Sequence, residues 1–218
     1  VAMAGQSLVG LGVLRILARE TEAGLRDLDE GVAILEREHN LYALVIATWI
    51  LTERDLAEGH PEAARARIEQ AFERYGIDAS IVAFPPVLVS LALAYLEMGD
   101  EAKAQDLAER AHARATAVDD RPALCDVLWL RAVLCGGRAQ QEEVVRLLLE
   151  ALSLARAMPF PYGEARAHYW YGMMHLRRAE RREARQHFQD ALVIFRRLGD
   201  QLHARAAAVR IRDLTSRD

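Results

Sequence analysis

LALAYLEMGDEAKAQDLAERA, residues 91–111, reads as one helix, a tight turn and a second helix. Gly99 stands where a helix C-terminus favours a left-handed residue. Asp100 stands where the next helix needs a side-chain acceptor for its first amides. Ala92 in the first segment, and Ala104 and Ala111 in the second, are small at the points where two antiparallel helices would touch. Close approach needs a small partner at each crossing.

The same unit returns every forty residues. Ala104 corresponds to Ala64, Val144 and Ala184; Ala111 to Ala71, Ala151 and Ala191; Ala92 to Gly12, Thr52, Ala132 and Gly172. The turn residue Gly99 corresponds to Gly59, Ala139 and Ala179. Gly199-Asp200 repeats the Gly-Asp pair, and Gly59-His60-Pro61 places proline at a first helical position. A core position recurs as Leu28, Ile68, Ala108, Leu148 and Phe188. The first copy carries Gly24 and Gly31 at the small positions, which lowers its helix propensity. Apolar spacing is helical throughout, and no alternating run predicts a strand. The expected fold is therefore all-α: five antiparallel helix hairpins at about 3–38, 41–76, 85–117, 122–157 and 163–198, in a single repeat domain over 1–218. A last helix, 200–215, carries Arg205, Arg210, Arg212 and Asp213, as a solvent-facing cap should. The proline-bearing loops at 77–86 and 159–163 are the expected bends, the second above all.

The 218 residues suffice for a sizeable core, and 52% hydrophobic with 28% charged residues is the balance of a globular protein. A net charge of −4 argues against direct binding of nucleic acid, which needs a surplus of cations. The cations are nearly all arginine; Lys103 is the only lysine. Cys125 and Cys135 stand ten residues apart on one predicted helix, about 15 Å of rise, too far for a disulfide. Two reduced, packed cysteines suit the cytoplasm. No apolar run is long enough for a membrane span, and the apolar opening lacks the basic residues of a signal peptide. A start at Val1 directly in helical pattern reads as a segment of a longer chain. Its first hairpin would then offer an apolar edge for self-association.

Signatures of chemistry are missing. The sequence has no GxxxxGK[ST], HExxH, paired CxxC or GxSxG, and GLGVLR from Gly10 does not complete GxGxxG. His168 and His175 share a helix face, but two ligands without a third neighbour in sequence make a weak metal site, and both stand at packing positions. Glu142 and Glu143 open a helix, where they favour its dipole. No catalytic, cofactor-binding or metal-binding residue is predicted.

What remains is a surface. In stacked hairpins the first helices line the concave side. One inward position is Val9, Trp49, Val89, Trp129 and Tyr169 in the five copies, with Trp170 next in the last; one turn on come Val13, Glu53, Leu93, Val133 and Met173. Arg166, Arg177, Glu53, Glu97 and Asp126 would fringe it. The candidate groove residues are Trp49, Glu53, Trp129, Arg166, Tyr169, Trp170, Met173 and Arg177, because Trp, Tyr and Arg dominate binding hot spots. The aromatics either wall an accessible groove or pack into neighbouring hairpins. The mostly apolar inward positions favour an apolar partner over an electropositive clamp for a carboxyl terminus.

Ala92, Tyr95, Gly99, Ala104 and Ala111, and again Gly172, Ala184, Phe188 and Ala191, resemble the tetratricopeptide repeat in a long-period form. The early tryptophan of that pattern is replaced by Thr48, Leu88, Leu128 and His168, and the fourth copy has Cys135 for the first-helix aromatic. The resemblance covers nearly the whole chain. It implies a right-handed superhelix that binds a peptide, helix or protein segment without catalysis. The forty-residue period and phrases such as ALVIFRRLGD are similar to the superhelical region of ATP-dependent LuxR-type regulators. That likeness implies the regulatory region of a larger signalling or transcription protein, or a domain that senses a small-molecule inducer.

Overall fold

The computed structural model describes residues 2–17, 20–78, 84–135 and 141–215. Among them run α1 (Ala2–Leu17), α2 (Thr21–Arg37), α3 (Leu41–Ala57), α4 (Pro61–Tyr75), α5 (Pro86–Glu97), α6 (Glu101–Ala117), α7 (Arg121–Leu134), α8 (Gln141–Ala157), α9 (Pro161–Arg177), α10 (Arg181–Arg197) and α11 (Gln201–Thr215). The described residues contain no strand. Successive helices pair as hairpins, and each hairpin packs on the next. The result is an α-solenoid of five hairpins followed by α11.

The turns explain why the helices break where they do. Positive φ recurs at multiples of twenty residues: His39 (52°), Gly59 (82°), Gly99 (87°), Asp119 (51°), Ala179 (58°) and Gly199 (75°). The residue after several of these caps the next helix. Asn40 accepts from the Ala43 amide at 3.2 Å, Asp100 from Lys103 at 3.0 Å, Asp120 from Ala123 at 3.0 Å and Asp200 from His203 at 3.1 Å. The expected bend at 159–163 is instead a tight turn: Phe160 stands at the N-cap and Pro161 opens α9. Ala139 and half of the 77–86 loop lie outside the described residues.

The small positions pack as the repeat requires. Ala64, Ala92, Ala104, Ala111, Ala132, Ala151, Ala184 and Ala191 are buried. At Gly172 an added methyl would stand 2.8 Å from the Phe188 ring. In the first hairpin the glycines bring α1 and α2 nearly backbone to backbone. A methyl on Gly24 would lie 2.6 Å from the Gly12 carbonyl oxygen, and one on Gly31 2.9 Å from that of Gly5. The residues that weaken this hairpin's propensity are those that let it close. The largest core runs through hairpins two to five, including Val45, Ile68, Leu88, Leu107, Trp129, Leu148 and Trp170. Leu11, Leu14, Leu41 and Tyr42 stay exposed at the other end of the stack.

The last helix is more than a cap. Arg205, Arg212 and Asp213 face solvent as expected, but Arg210 is half-buried. Leu214 packs with Phe188, and Arg181 donates to the Leu214 carbonyl at 2.6 Å. From that anchorage α11 reaches across to touch α3, in the second hairpin.

Two substitutions of opposite sign test this account. Gly24→Ala gains about 1 kcal/mol of helix propensity but overpacks the α1–α2 contact by about 1–3 kcal/mol; the expected outcome is a lower thermal midpoint. Ala179→Gly relieves about 1–2 kcal/mol of left-handed strain against about 0.4–1 kcal/mol of added chain entropy; the midpoint should rise. Thermal denaturation followed by far-UV circular dichroism checks both.

Candidate functional site

The inner side of the solenoid is organised by one buried cation. Arg166 of α9, 5% exposed, donates from Nη1 to Glu53 Oε2 of α3 at 2.8 Å, and its Nε lies 3.6 Å from Asp126 Oδ1 of α7. Ser90 of α5 donates to the other Glu53 oxygen. Trp129 donates from Nε1 to Asp126 Oδ1 at 2.9 Å. The guanidinium also lies over the Trp129 ring, 4.9 Å from its centroid, and 5.7 Å from that of Tyr162. The first helices of hairpins two, three, four and five thus meet in a single polar network, although Glu53 and Arg166 are 113 residues apart. Burial opposes the charge on Arg166, but the Asp126 and Glu53 carboxylates outweigh it and hold its pKa above the ordinary value. Burial pushes the Asp126 carboxyl up, against the pull of Arg166 and the Trp129 N–H.

Helix α11 extends the network. His203 Nε2 lies 4.0 Å from Glu53 Oε2, and its Nδ1 lies 2.6 Å from Asp200 Oδ2. Burial pushes the Asp200 carboxyl up, but hydrogen bonds from the His203 ring and the backbone amides of Leu202 and His203 overcome it and leave the pKa below the ordinary carboxylate value.

Beside this network the solenoid opens into a cleft of about 1280 Å³. Its walls are the C-terminal turns of α3, α5, α7 and α9, closed on one side by α11. The floor is apolar: Leu93, Leu96, Val133, Tyr169, Trp170 and Met173. Glu58, Glu97 and Glu101 line the side of hairpins two and three, while Arg177, Arg205 and Arg210 line the side of α9 and α11. Burial raises the Glu97 pKa, with Arg210 opposing. Arg210 Nε lies 3.4 Å from the Tyr169 hydroxyl and donates to it. A smaller cavity of about 400 Å³ shares Val133, Trp170, Met173 and Arg177.

Six of the eight residues singled out from the sequence line the cleft: Glu53, Arg166, Tyr169, Trp170, Met173 and Arg177. Trp129 and Trp49 do not. Trp129 is sealed at 0% exposure, stacked at 5.0 Å and 6° on Trp170 and covered by Arg166. Trp49 is half-buried and meets Phe84 edge to face at 5.2 Å. The series Trp49, Val89, Trp129, Tyr169 mostly packs between neighbouring first helices, where Val89 too is buried. The series one turn on, Glu53, Leu93, Val133, Met173, is the one that lines the opening throughout. Asp126, expected at the fringe, is buried because it faces Arg166.

Away from the cleft, His168 is buried and His175 half-buried, as their packing positions suggested. The structure adds what sequence spacing did not bring together: His187 and Asp190 of α10 stand beside His168. The turn at Ala179 and Glu180 sets the hairpin register, and residues at similar distances on either side of it come face to face. That register was the available signal. Cys125 and Cys135 are both free, and the Cys125 thiol, 3.4 Å from the Ala151 carbonyl oxygen, is pushed up by burial.

Residues 86–157, which hold α5 to α8, match a family model described as tetratricopeptide repeat. The match makes that stretch similar to tetratricopeptide repeats, which generally mediate contacts between proteins. Comparison with curated proteins gives no match. Among the described residues no helix is long and apolar enough to cross a membrane.

The buried network makes a stability prediction. Arg166→Met leaves two carboxylates without their cation and should cost about 3–5 kcal/mol. The triple variant Arg166→Met, Glu53→Gln, Asp126→Asn removes the charges together and should recover more than half of that loss. Urea denaturation of the wild type and both variants measures the two differences.

Proposed function

We propose that the chain is a non-catalytic interaction module that holds a peptide, helix or other segment of a partner protein in the cleft, within the regulatory region of a larger signalling or transcription protein. One observation carries the reading: the forty-residue series Glu53, Leu93, Val133, Met173 lines a single cleft between an acidic and a basic wall. Its volume exceeds the roughly 300–1,000 Å³ of ordinary small-molecule pockets, which favours a length of chain. The apolar floor takes the apolar face of such a segment, and the two walls select charges of both signs along its flanks.

A second reading, a sensor for a small-molecule inducer in an ATP-dependent LuxR-type activator, draws on the closed end of the cleft. There Glu53, Arg166 and His203 converge beneath α11, which is the kind of polar cluster that orients a small ligand.

Selection of displayed peptides on the purified protein tests the first reading. Selected peptides should carry both apolar and charged residues. Met173→Arg, which places a cation on the apolar floor, should weaken them at least about tenfold, or about 1.4 kcal/mol. Arg185→Glu, on an exposed position of α10, should leave them unchanged. Equal binding to wild type and Met173→Arg would remove the cleft as the site. A thermal shift from small polar compounds, lost in Met173→Arg while no peptide is selected, would favour the sensor.

A further inference from the structure

The inner face of α9 serves the cleft; its opposite face carries a different chemistry. We propose that His168, His187 and Asp190 form a site for a divalent transition-metal ion of the zinc class, which staples α9 to α10.

The three side chains come from two helices and offer ligand atoms that all lie within 4.8 Å of one another. His168 Nδ1 is 3.0 Å from His187 Nδ1 and 3.9 Å from Asp190 Oδ2. Tetrahedral zinc, with Zn–N of about 2.0–2.1 Å, places its donor atoms about 3.3 Å apart. The two imidazoles need open by only a few tenths of an ångström, and the Asp190 carboxylate, 40% exposed, has room to close. Two imidazoles and a carboxylate suit zinc or cobalt, and leave a fourth position for water or an external ligand.

The surroundings prepare the ligands. Burial holds His168 below its ordinary pKa; burial, with His168 and His175 beside it, pushes His187 down to about 4. His187 is held in place by stacking, 4.2 Å from the Tyr171 ring and 5.3 Å from that of His175. His175 stands outside the group whose ligand atoms lie within 4.8 Å of one another, and its Nδ1 lies 2.6 Å from a Glu180 carboxylate oxygen. Arg156 Nη2 lies 3.4 Å from His168 Nε2. That contact makes Nε2 the acceptor and assigns the His168 proton to Nδ1, which donates it to His187. A metal at Nδ1 moves that proton to Nε2, so the ring stays neutral and no proton is lost. Arg156, 58% exposed, then turns aside. Glu164, bound to Arg156 at 2.7 Å and one turn before His168 on α9, offers a carboxylate for the new Nε2–H. A carboxylate behind a ligating histidine is a common second layer at such sites.

The test is titration of the chelator-stripped full chain with cobalt(II), then displacement by zinc. The expected result is one equivalent of cobalt with the visible bands of tetrahedral coordination. Zinc should displace it and raise the thermal midpoint. His187→Ala and Asp190→Asn should each weaken binding at least tenfold. Asp190→Asn is partly exposed and nearly isosteric, so it keeps the test open if His187→Ala does not fold. Three results would overturn the site: no saturable binding, unchanged binding in Asp190→Asn, or a thiolate charge-transfer band lost in Cys135→Ser.

Discussion

A buried guanidinium cannot be left alone. Moving an ion of that size out of water costs several kcal/mol even after the protein relaxes, so Arg166 must find carboxylates, and it finds them at a distance in sequence. Glu53 and Asp126 belong to the second and fourth hairpins, while Arg166 belongs to the fifth. Satisfying one side chain therefore fixes how sharply the stack of first helices curls. A hydrophobic contact would tolerate a range of curvatures. A 2.8 Å hydrogen bond between α3 and α9 does not. The network adds little net stability compared with apolar residues of the same volume; its effect is to select one curvature.

The cleft follows from that choice. Where the network draws the first helices together, Trp129 is sealed and Trp170 is only 8% exposed. Beyond it, the C-terminal turns of the same helices line the cleft, and α11 closes one side by reaching from Phe188 and Leu214 to α3. Through His203 and Asp200 that last helix is joined to the same carboxylate that Arg166 binds. The opening has its width because its closed end is held by charge and hydrogen bonding, and its far wall is anchored by packing.

Much of this was legible in the sequence because packing in a repeat is local. A small residue at each helix crossing and a turn residue every forty positions depend only on neighbours within one hairpin. The hairpins and the caps at Asp100 and Asp200 could therefore be read directly. Curvature is a sum over several hairpins, and that is where reading by period lost its hold. It placed Trp129 on the inner face but could not show that Arg166 and Trp170 would seal it. It placed Glu53 and Arg166 on one surface without showing that they meet. The cluster of His168, His187 and Asp190 was not legible for a different reason. His187 and Asp190 lie on the second helix, and only the antiparallel register across Ala179 brings them to His168.

The two faces of α9 raise a question of coupling. Arg166, Tyr169, Trp170, Met173 and Arg177 look into the cleft, while His168, Tyr171 and His175 look toward α10 or its turn. Side chains two residues apart on a helix point to nearly opposite sides, so each face can be filled without blocking the other. The helix between them is rigid, with Gly172 pressed against Phe188 and Tyr169 edge to face with the same ring at 5.5 Å. A shift of α10 relative to α9 would be felt at Phe188, and through Phe188 at Tyr169, whose hydroxyl accepts from Arg210 on the cleft wall. The fifth hairpin is thus the part of the solenoid where the closed network, the open cleft and the histidine cluster share one set of packed side chains. The physical requirement for coupling is a packed element whose position both sites bias, and the contact of α10 with α9 is the packing that the cleft and the histidine cluster share.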